Sequence, residues 1–209
     1  MEHLKLQRHI LCIDLKSFYA SVECSLLGLD PFQTPLVVAD PTRGGGSVVL
    51  AVTPYLKTLG VPSRCRVKDL PNHFNIQIMR PRMNTYMRFA KDIIAIYLRY
   101  VSDEDMHVYS IDEVFLDVTH YLSLYKKTPT EMAKQILTDI LNETKVTATC
   151  GIGRNMLMAK LALDIDAKHH PEYIASWEYE DIPEKLWTLP RLSDMWGIGP
   201  RMEKNLLRL

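Results

Sequence analysis

The chain has 209 residues, no formal net charge at pH 7, and a hydrophobic share of 47%. That is apolar material for one large domain or two small ones, and ordinary Gly, Pro and aromatic contents exclude a globally disordered chain. No apolar run reaches the roughly 18 residues of a membrane span, and the N-terminal MEHLKLQRHI lacks the apolar stretch of a signal peptide, so the expectation is a cytoplasmic protein with no membrane partner.

Ile10 to Leu15 (ILCIDL) is a short apolar run that reads as a buried strand ending at an aspartate. Ser17 is placed to cap a helix over FYASVECSLLG, with Glu23 on its polar side and Gly28 as its stop. Leu36–Asp40 and Ser47–Val52 read as strands joined by the turn PTRGGG. A short helix PYLKTLG follows, with Pro54 first and Gly60 last, and then a strand at Ile76–Arg80. Apolar residues at Met83, Tyr86, Met87, Ile93, Ile94, Tyr97 and Leu98 predict a long helix from Arg82 to Val101. Strands follow at Met106–Tyr109 and Val114–Val118, with Ser110-Ile111-Asp112-Glu113 at their junction. A helix over Thr130–Thr144, capped by Thr130, a strand at Ala148–Ile152 and a helix at Asn155–Ala167 complete the pattern. The order is compatible with a split βαβ sheet carrying residues 16–80 as an insertion after its first strand. Leu189–Leu209 reads as two short helices around Gly197-Ile198-Gly199-Pro200.

The zero net charge hides a split. Residues 41–91 carry nine Lys/Arg and one acid, and the rest of the chain must hold the compensating negative charge. Such a division suits a basic phosphate-binding surface beside an acidic region, although a solvated charged face reads the same way. Cys12, Cys24, Cys65 and Cys150 are scattered without a C-x-x-C pair, so reduced, mostly buried thiols are expected. Gly44-Gly45-Gly46-Ser47 lacks the spacing of a phosphate-cradling loop and reads as a hairpin tip.

Three acids stand out. Asp14 ends the central apolar strand, and Asp112 and Glu113 sit where two later strands meet. Phosphoryl transfer needs neutralised charge and aligned oxygens, which two Mg²⁺ ions supply when carboxylates on rigid elements converge on them. In a split βαβ sheet Asp14 and Asp112 can bridge both ions while Glu113 holds one of them, and the Leu15 carbonyl can add a ligand. For any one of these acids alone, a turn or cap role is the better reading.

The set gains weight from its surroundings. Ile13-Asp14-Leu15-Lys16-Ser17-Phe18-Tyr19-Ala20-Ser21-Val22-Glu23 and Tyr109-Ser110-Ile111-Asp112-Glu113-Val114-Phe115-Leu116-Asp117 resemble the two metal-binding motifs of Y-family translesion DNA polymerases. Cys150–Ala162 (CGIGRNMLMAKLA) and Gly197-Ile198-Gly199-Pro200 match two further motifs, in family order and spacing. The branch resembled is the UmuC-like one, with its UvrX-type DNA repair proteins.

The resemblance implies an α+β fold: a palm with a ferredoxin-like antiparallel sheet (1–18 and 78–166), small α/β fingers (19–77) and a helical helix-hairpin-helix thumb (167–209). It implies a DNA polymerase of DNA damage tolerance and the SOS response, adding deoxynucleotides to a primer 3′ end. Its cofactor is Mg²⁺, two ions, with Mn²⁺ as a substitute. Its partners are primer-template DNA, dNTP and a sliding clamp. Asp14, Asp112 and Glu113 match the metal ligands. Tyr19 matches the steric gate, an aromatic wall that leaves no room for a 2′-hydroxyl. The backbone N–H groups of Ser17, Phe18 and Tyr19, with Lys57 and Lys168, suit a triphosphate. Gly197, Gly199 and Arg201 match DNA-binding positions of the hairpin.

The chain departs from the family pattern at three places. Lys57 stands where the family has Arg, which keeps the charge and loses the bidentate fork. Tyr55 is one residue out of step with the family's aromatic, and His169-His170 separate Lys168 from Pro171. The family's little-finger domain has no counterpart, so a truncated catalytic fragment with weak extension activity is expected. Two rivals remain: another two-metal palm enzyme such as a nucleotidyl cyclase, and a non-catalytic DNA-binding descendant of a polymerase.

Overall fold

The computed structural model describes residues 7–72 and 74–208. The first six residues, part of the stretch read as lacking a signal peptide, lie outside the described residues. In chain order the elements are β1 (Ile10–Leu15), α1 (Phe18–Leu27), β2 (Leu36–Val38), β3 (Ala51–Val52), α2 (Pro54–Thr58), β4 (Gln77–Met79), α3 (Met83–Tyr97), β5 (Met106–Val108), β6 (Glu113–Asp117), α4 (Leu122–Tyr125), α5 (Pro129–Thr144), β7 (Ala148–Gly153), α6 (Met156–Leu161), β8 (Ile174–Ser176), α7 (Ile182–Lys185) and α8 (Pro200–Leu206). No helix among the described residues is long and apolar enough to cross a membrane.

The chain divides into two compact units, one of residues 1–14, 97–137 and 148–209, the other of residues 15–96 and 138–147. The first is built on a five-stranded sheet in the order β5-β6-β1-β7-β8. Leaving out β8, this is the strand order of a split βαβ sheet. β6 pairs antiparallel with both β1 and β5. β8, absent from the sequence reading, adds a parallel pairing with β7. The second unit has a three-stranded sheet, β3-β2-β4, around a core of Val37, Val49, Val52, Leu56 and Val61.

Several local expectations need correction. Ser17 precedes α1 in a left-handed conformation, φ 52° and ψ 42°, and its side chain makes no cap hydrogen bond. Such a backbone turns its hydroxyl away from the first-turn N–H groups it was expected to satisfy. Glu23 is not on a polar face; it is completely buried. The α5 cap is Thr128, not Thr130: the Glu131 N–H donates to Thr128 Oγ1 at 3.2 Å, and the Thr128 N–H donates to Glu131 Oε2 at 2.8 Å. That reciprocal pair satisfies two otherwise unpaired donors, and Pro129 needs none. The strand expected over Ser47–Val52 shrinks to Ala51–Val52, because Val48 bridges to Arg66 instead. The helix expected over residues 155–167 changes winding midway, from α over Met156–Leu161 to π over Ala162–Ala167.

Candidate active site

Asp14 and Glu113 are direct cross-strand partners on β1 and β6, as are Cys12 and Phe115 and then Ile10 and Asp117. Side chains repeat every two residues along a strand, so these six share one face of the sheet. Ile10, Cys12 and Phe115 pack against Ala159, Leu163 and Ala167, which places α6 and its π-wound extension over that face. Two glycines of β7 allow the approach. A Cβ on Gly151 would lie 2.1 Å from the Ala159 carbonyl oxygen, and one on Gly153 would lie 2.4 Å from the Ala159 nitrogen. Both obstacles are backbone, which has no way to swing aside.

The close packing brings a chain of alternating charges onto the acidic strand ends. Lys160 Nζ donates to Glu113 Oε2 at 2.9 Å and lies 3.2 Å from Asp164 Oδ2. Lys168 Nζ is 2.7 Å from Asp164 Oδ1 and 3.3 Å from Asp14 Oδ2. The π winding shapes the second half of this chain, since the Lys168 N–H reaches back five residues to the Leu163 carbonyl at 3.3 Å. The Cys12 thiol donates to Glu113 Oε1 at 3.4 Å. Asp112 is held by Ser110, whose hydroxyl donates to Asp112 Oδ1 at 2.7 Å.

The electrostatics follow from this arrangement. Burial pushes the Asp14 carboxyl above its ordinary range; Lys168 works against the shift and the charge of Asp112 adds to it. Burial opposes the Lys168 charge, but Asp14 and Asp164 outweigh it and hold the ammonium form well above the usual lysine range. Lys160 is raised in the same way, with Glu113 and Asp164 overcoming its burial. Burial and the neighbouring Glu113 push the Cys12 thiol far up, so it stays protonated.

Asp14, Asp112 and Glu113 thus lie in one neighbourhood, with Lys168 at Asp14. Among the described residues no three His, Cys, Asp or Glu side chains form a ready metal cluster. The Glu113 oxygens are taken by Lys160 and Cys12, and Asp112 by Ser110. The chemistry of the donors nevertheless fits hard divalent cations, which prefer carboxylate oxygens. Four carboxylates (Asp14, Asp112, Glu113, Asp164) face two ammonium groups, Lys160 and Lys168.

Sequence reasoning gave no site role to Lys160, Asp164 or Cys12. A signal was present: Lys160, Asp164 and Lys168 recur at four-residue spacing within an apolar helix, which puts them along one face.

In the hairpin region Gly197 has φ +89°, which other residues adopt only with strain. Gly199 is the N-cap of α8 and Arg201 is exposed on that helix. The Trp196 ring meets Tyr109 edge-on, with centroids 6.1 Å apart.

The second unit holds the remaining expected residues. The Ser17 hydroxyl is buried with no hydrogen-bond partner. Phe18 is buried and Tyr19 half-buried at the start of α1, and Lys57 is exposed in the last turn of α2. A cavity of about 730 Å³ opens beside the glycine-rich turn, lined in part by Arg43, Gly46, Val48, Leu50 and Arg80.

The strand order, the glycine-packed helix and the acidic strand ends define an α+β protein of the polymerase-palm type. The impB/mucB/samB family model matches residues 13–164, and the model of that family's helix-hairpin-helix motif matches residues 179–209. The chain belongs to this family, the UmuC-like branch of the Y-family proteins. It is 44% identical over 204 residues to a putative UV-damage repair protein UvrX of Bacillus subtilis, covering 97% of this chain and 48% of that protein. It is 36% identical to DNA polymerase IV 2 of the same organism over the same shares of the two chains. The solved insertion ternary complex of Dbh DNA polymerase superposes with a TM-score of 0.80 at 24% identity, over 96% of this chain and 57% of that one. The chain therefore spans about half the length of the curated relatives it matches.

Proposed function

We propose that the protein carrying this chain is a template-directed DNA polymerase of the translesion type, extending a primer with deoxynucleotides by two-metal-ion nucleotidyl transfer. The observation that supports this most is the cross-strand pair Asp14 and Glu113, with Asp112 beside it and more carboxylates than ammonium groups nearby. In this reading residues 1–18 and 78–166 are the palm, 19–77 the fingers and 167–209 the thumb. Asp14, Asp112 and Glu113, with the Leu15 carbonyl, are the residues that would hold two Mg²⁺ ions. When bound, such ions neutralise charge on the phosphates and lower the cost of forming the attacking oxyanion.

The chain's own residues prepare for this. Lys160 and Lys168 act as internal counter-charges for Glu113 and Asp14. Lys168, released from Asp14, is free to meet a triphosphate oxygen, and Lys57 adds a second positive charge. The start of α1 offers backbone N–H groups without intrahelical acceptors, a site suited to phosphate. The Ser17 hydroxyl, buried and unpartnered, lies at that same helix start. Tyr19 serves as the wall that excludes a 2′-hydroxyl. The turn at Gly197–Gly199 and Arg201 grips a DNA phosphate without reading sequence. The cyclase rival gives no role to this hairpin or to Tyr19, and the non-catalytic rival predicts loss of an acid that is present.

The test is Mg²⁺-dependent extension of a primed template, on damaged and undamaged DNA, by the whole protein and its Asp112→Asn variant. The variant should lose several kcal/mol of transition-state stabilisation, on the order of a thousandfold in rate or more. Extension that survives the substitution unchanged refutes the catalytic assignment.

A further inference from the structure

Four side chains of the second unit lock together around one carboxylate. Glu23 is completely buried on α1. Arg82, the residue before α3, donates from Nε to Glu23 Oε1 at 3.0 Å and from Nη2 to Glu23 Oε2. The Tyr86 hydroxyl, one helical turn further along, donates to Glu23 Oε1 at 2.7 Å. The Tyr86 ring, itself fully buried, stacks on Tyr19 with centroids 4.5 Å apart and planes 17° from parallel. Tyr19 and Glu23 are four residues apart on α1, and Arg82 and Tyr86 are four apart at the head of α3. Each segment therefore offers both members of its pair on one face.

Stability alone does not account for the arrangement. Glu23 is stripped of water while the Arg82 side chain stays 47% exposed, and burying a carboxylate costs enough that such a pair is often no more stable than apolar side chains of the same volume. What the charged clamp adds is direction. The planar guanidinium and the carboxylate fix each other through two parallel bonds. The remaining lone pair of Oε1 then fixes the phenol of Tyr86, and the Tyr86 ring is the surface on which Tyr19 lies. A leucine in place of Glu23 would fill space and leave the Tyr86 hydroxyl without its acceptor.

We infer that Glu23 is a positioning residue for sugar selection: through Arg82 and Tyr86 it sets the plane of the Tyr19 ring, and so the width of the slot that a nucleotide's 2′ position enters. The inference rests on Tyr19 being the gate of a polymerase, as proposed above. Glu23 touches no substrate and acts only through Tyr86. Its loss should therefore relax discrimination between ribo- and deoxynucleotides.

The experiment is single-nucleotide insertion by the whole protein, comparing kcat/KM for a deoxynucleoside triphosphate with that for the matching ribonucleoside triphosphate. The variants are wild type, Tyr19→Ala, Glu23→Gln and Tyr86→Phe. The ratio is taken within each preparation, so the fraction of folded enzyme cancels. Glu23→Gln should lower the ratio by about tenfold, the scale at which a loosened pocket wall loses selectivity. Tyr86→Phe keeps the ring and deletes only its bond to Glu23, and should shift the ratio the same way by less. If Tyr19→Ala leaves the ratio unchanged, the gate reading fails. If Tyr19→Ala admits ribonucleotides while Glu23→Gln and Tyr86→Phe keep the wild-type ratio, the positioning role is overturned. Should Glu23→Gln fail to fold, Tyr86→Phe decides alone: a wild-type ratio overturns the inference and a lowered one supports it.

Discussion

Two regions of this molecule bury ionised side chains, and they do so in opposite ways. On the sheet of the first unit, Glu113, Lys160, Asp164, Lys168 and Asp14 alternate in sign, and several of them are partly open to solvent. In the second unit a single carboxylate, Glu23, is sealed in and saturated by Arg82 and Tyr86. In the proposed function the first arrangement is the exchangeable one: an incoming cation of higher charge would replace an ammonium group, and the released lysine would turn to a phosphate. The second offers an incoming ion no such opening, because the Glu23 carboxylate and the Tyr86 ring are fully buried and only the Arg82 side chain reaches solvent. Chemistry that binds and releases ions suits the first, and shape that must stay fixed suits the second.

The largest effect expected on this contrast comes from Lys160→Met. The Lys160 and Glu113 side chains are only 7% and 10% exposed, so removing the lysine leaves a buried carboxylate without its partner. That should cost about 3–5 kcal/mol in urea unfolding. Adding Glu113→Gln should recover most of the loss. A cost under about 1 kcal/mol would show that solvent already screens the pair, and the two regions would then differ less than their geometry indicates. Tyr86→Phe comes next, at about 1.5–3 kcal/mol for one hydrogen bond to a buried charged acceptor, read from the shift in denaturant midpoint.

The smallest effect concerns Asp14→Asn and has the opposite sign. The Asp14 carboxyl is raised in the folded protein, so the fold holds this proton more tightly than the unfolded chain does. Its stabilising contribution is complete below the ordinary carboxylate range and is lost as pH rises through the elevated value. At neutral pH without divalent cations, Asp14→Asn should therefore melt slightly higher than wild type. That gain should vanish at acid pH, where the wild-type carboxyl is protonated. Thermal melts in chelator between pH 4 and pH 8 check this.

Much of the fold was legible because its signals are local. ILCIDL reads as a buried strand, and the observed β1 spans those six residues. The long helix before the acidic junction was visible in its apolar spacing, although α3 ends at Tyr97 rather than Val101. What escaped depended on partners far away in sequence. Glu23 reads as a polar-face residue until Arg82 and Tyr86, 59 and 63 residues on, are placed beside it. β8 is only three residues long and becomes a strand because β7 offers an edge. Ser17 has the chemistry of a cap, but its left-handed backbone denies it that role. The three acids of the candidate site were legible as motifs. Their internal counter-charges were not, because Lys160 looks like a surface lysine until Gly151 and Gly153 bring its helix down onto the sheet.

The claim that carries the rest is that Asp14, Asp112 and Glu113 exchange their internal partners for divalent cations. The most direct measurement is a Mn²⁺ titration of the protein, with free Mn²⁺ followed by electron paramagnetic resonance, for wild type, Asp14→Asn and Asp112→Asn. Wild type should take up Mn²⁺, and each substitution should weaken that uptake by about tenfold or more, at least the loss seen when merely an outer-shell partner of a metal ligand is removed. Equal uptake by all three proteins would contradict the account.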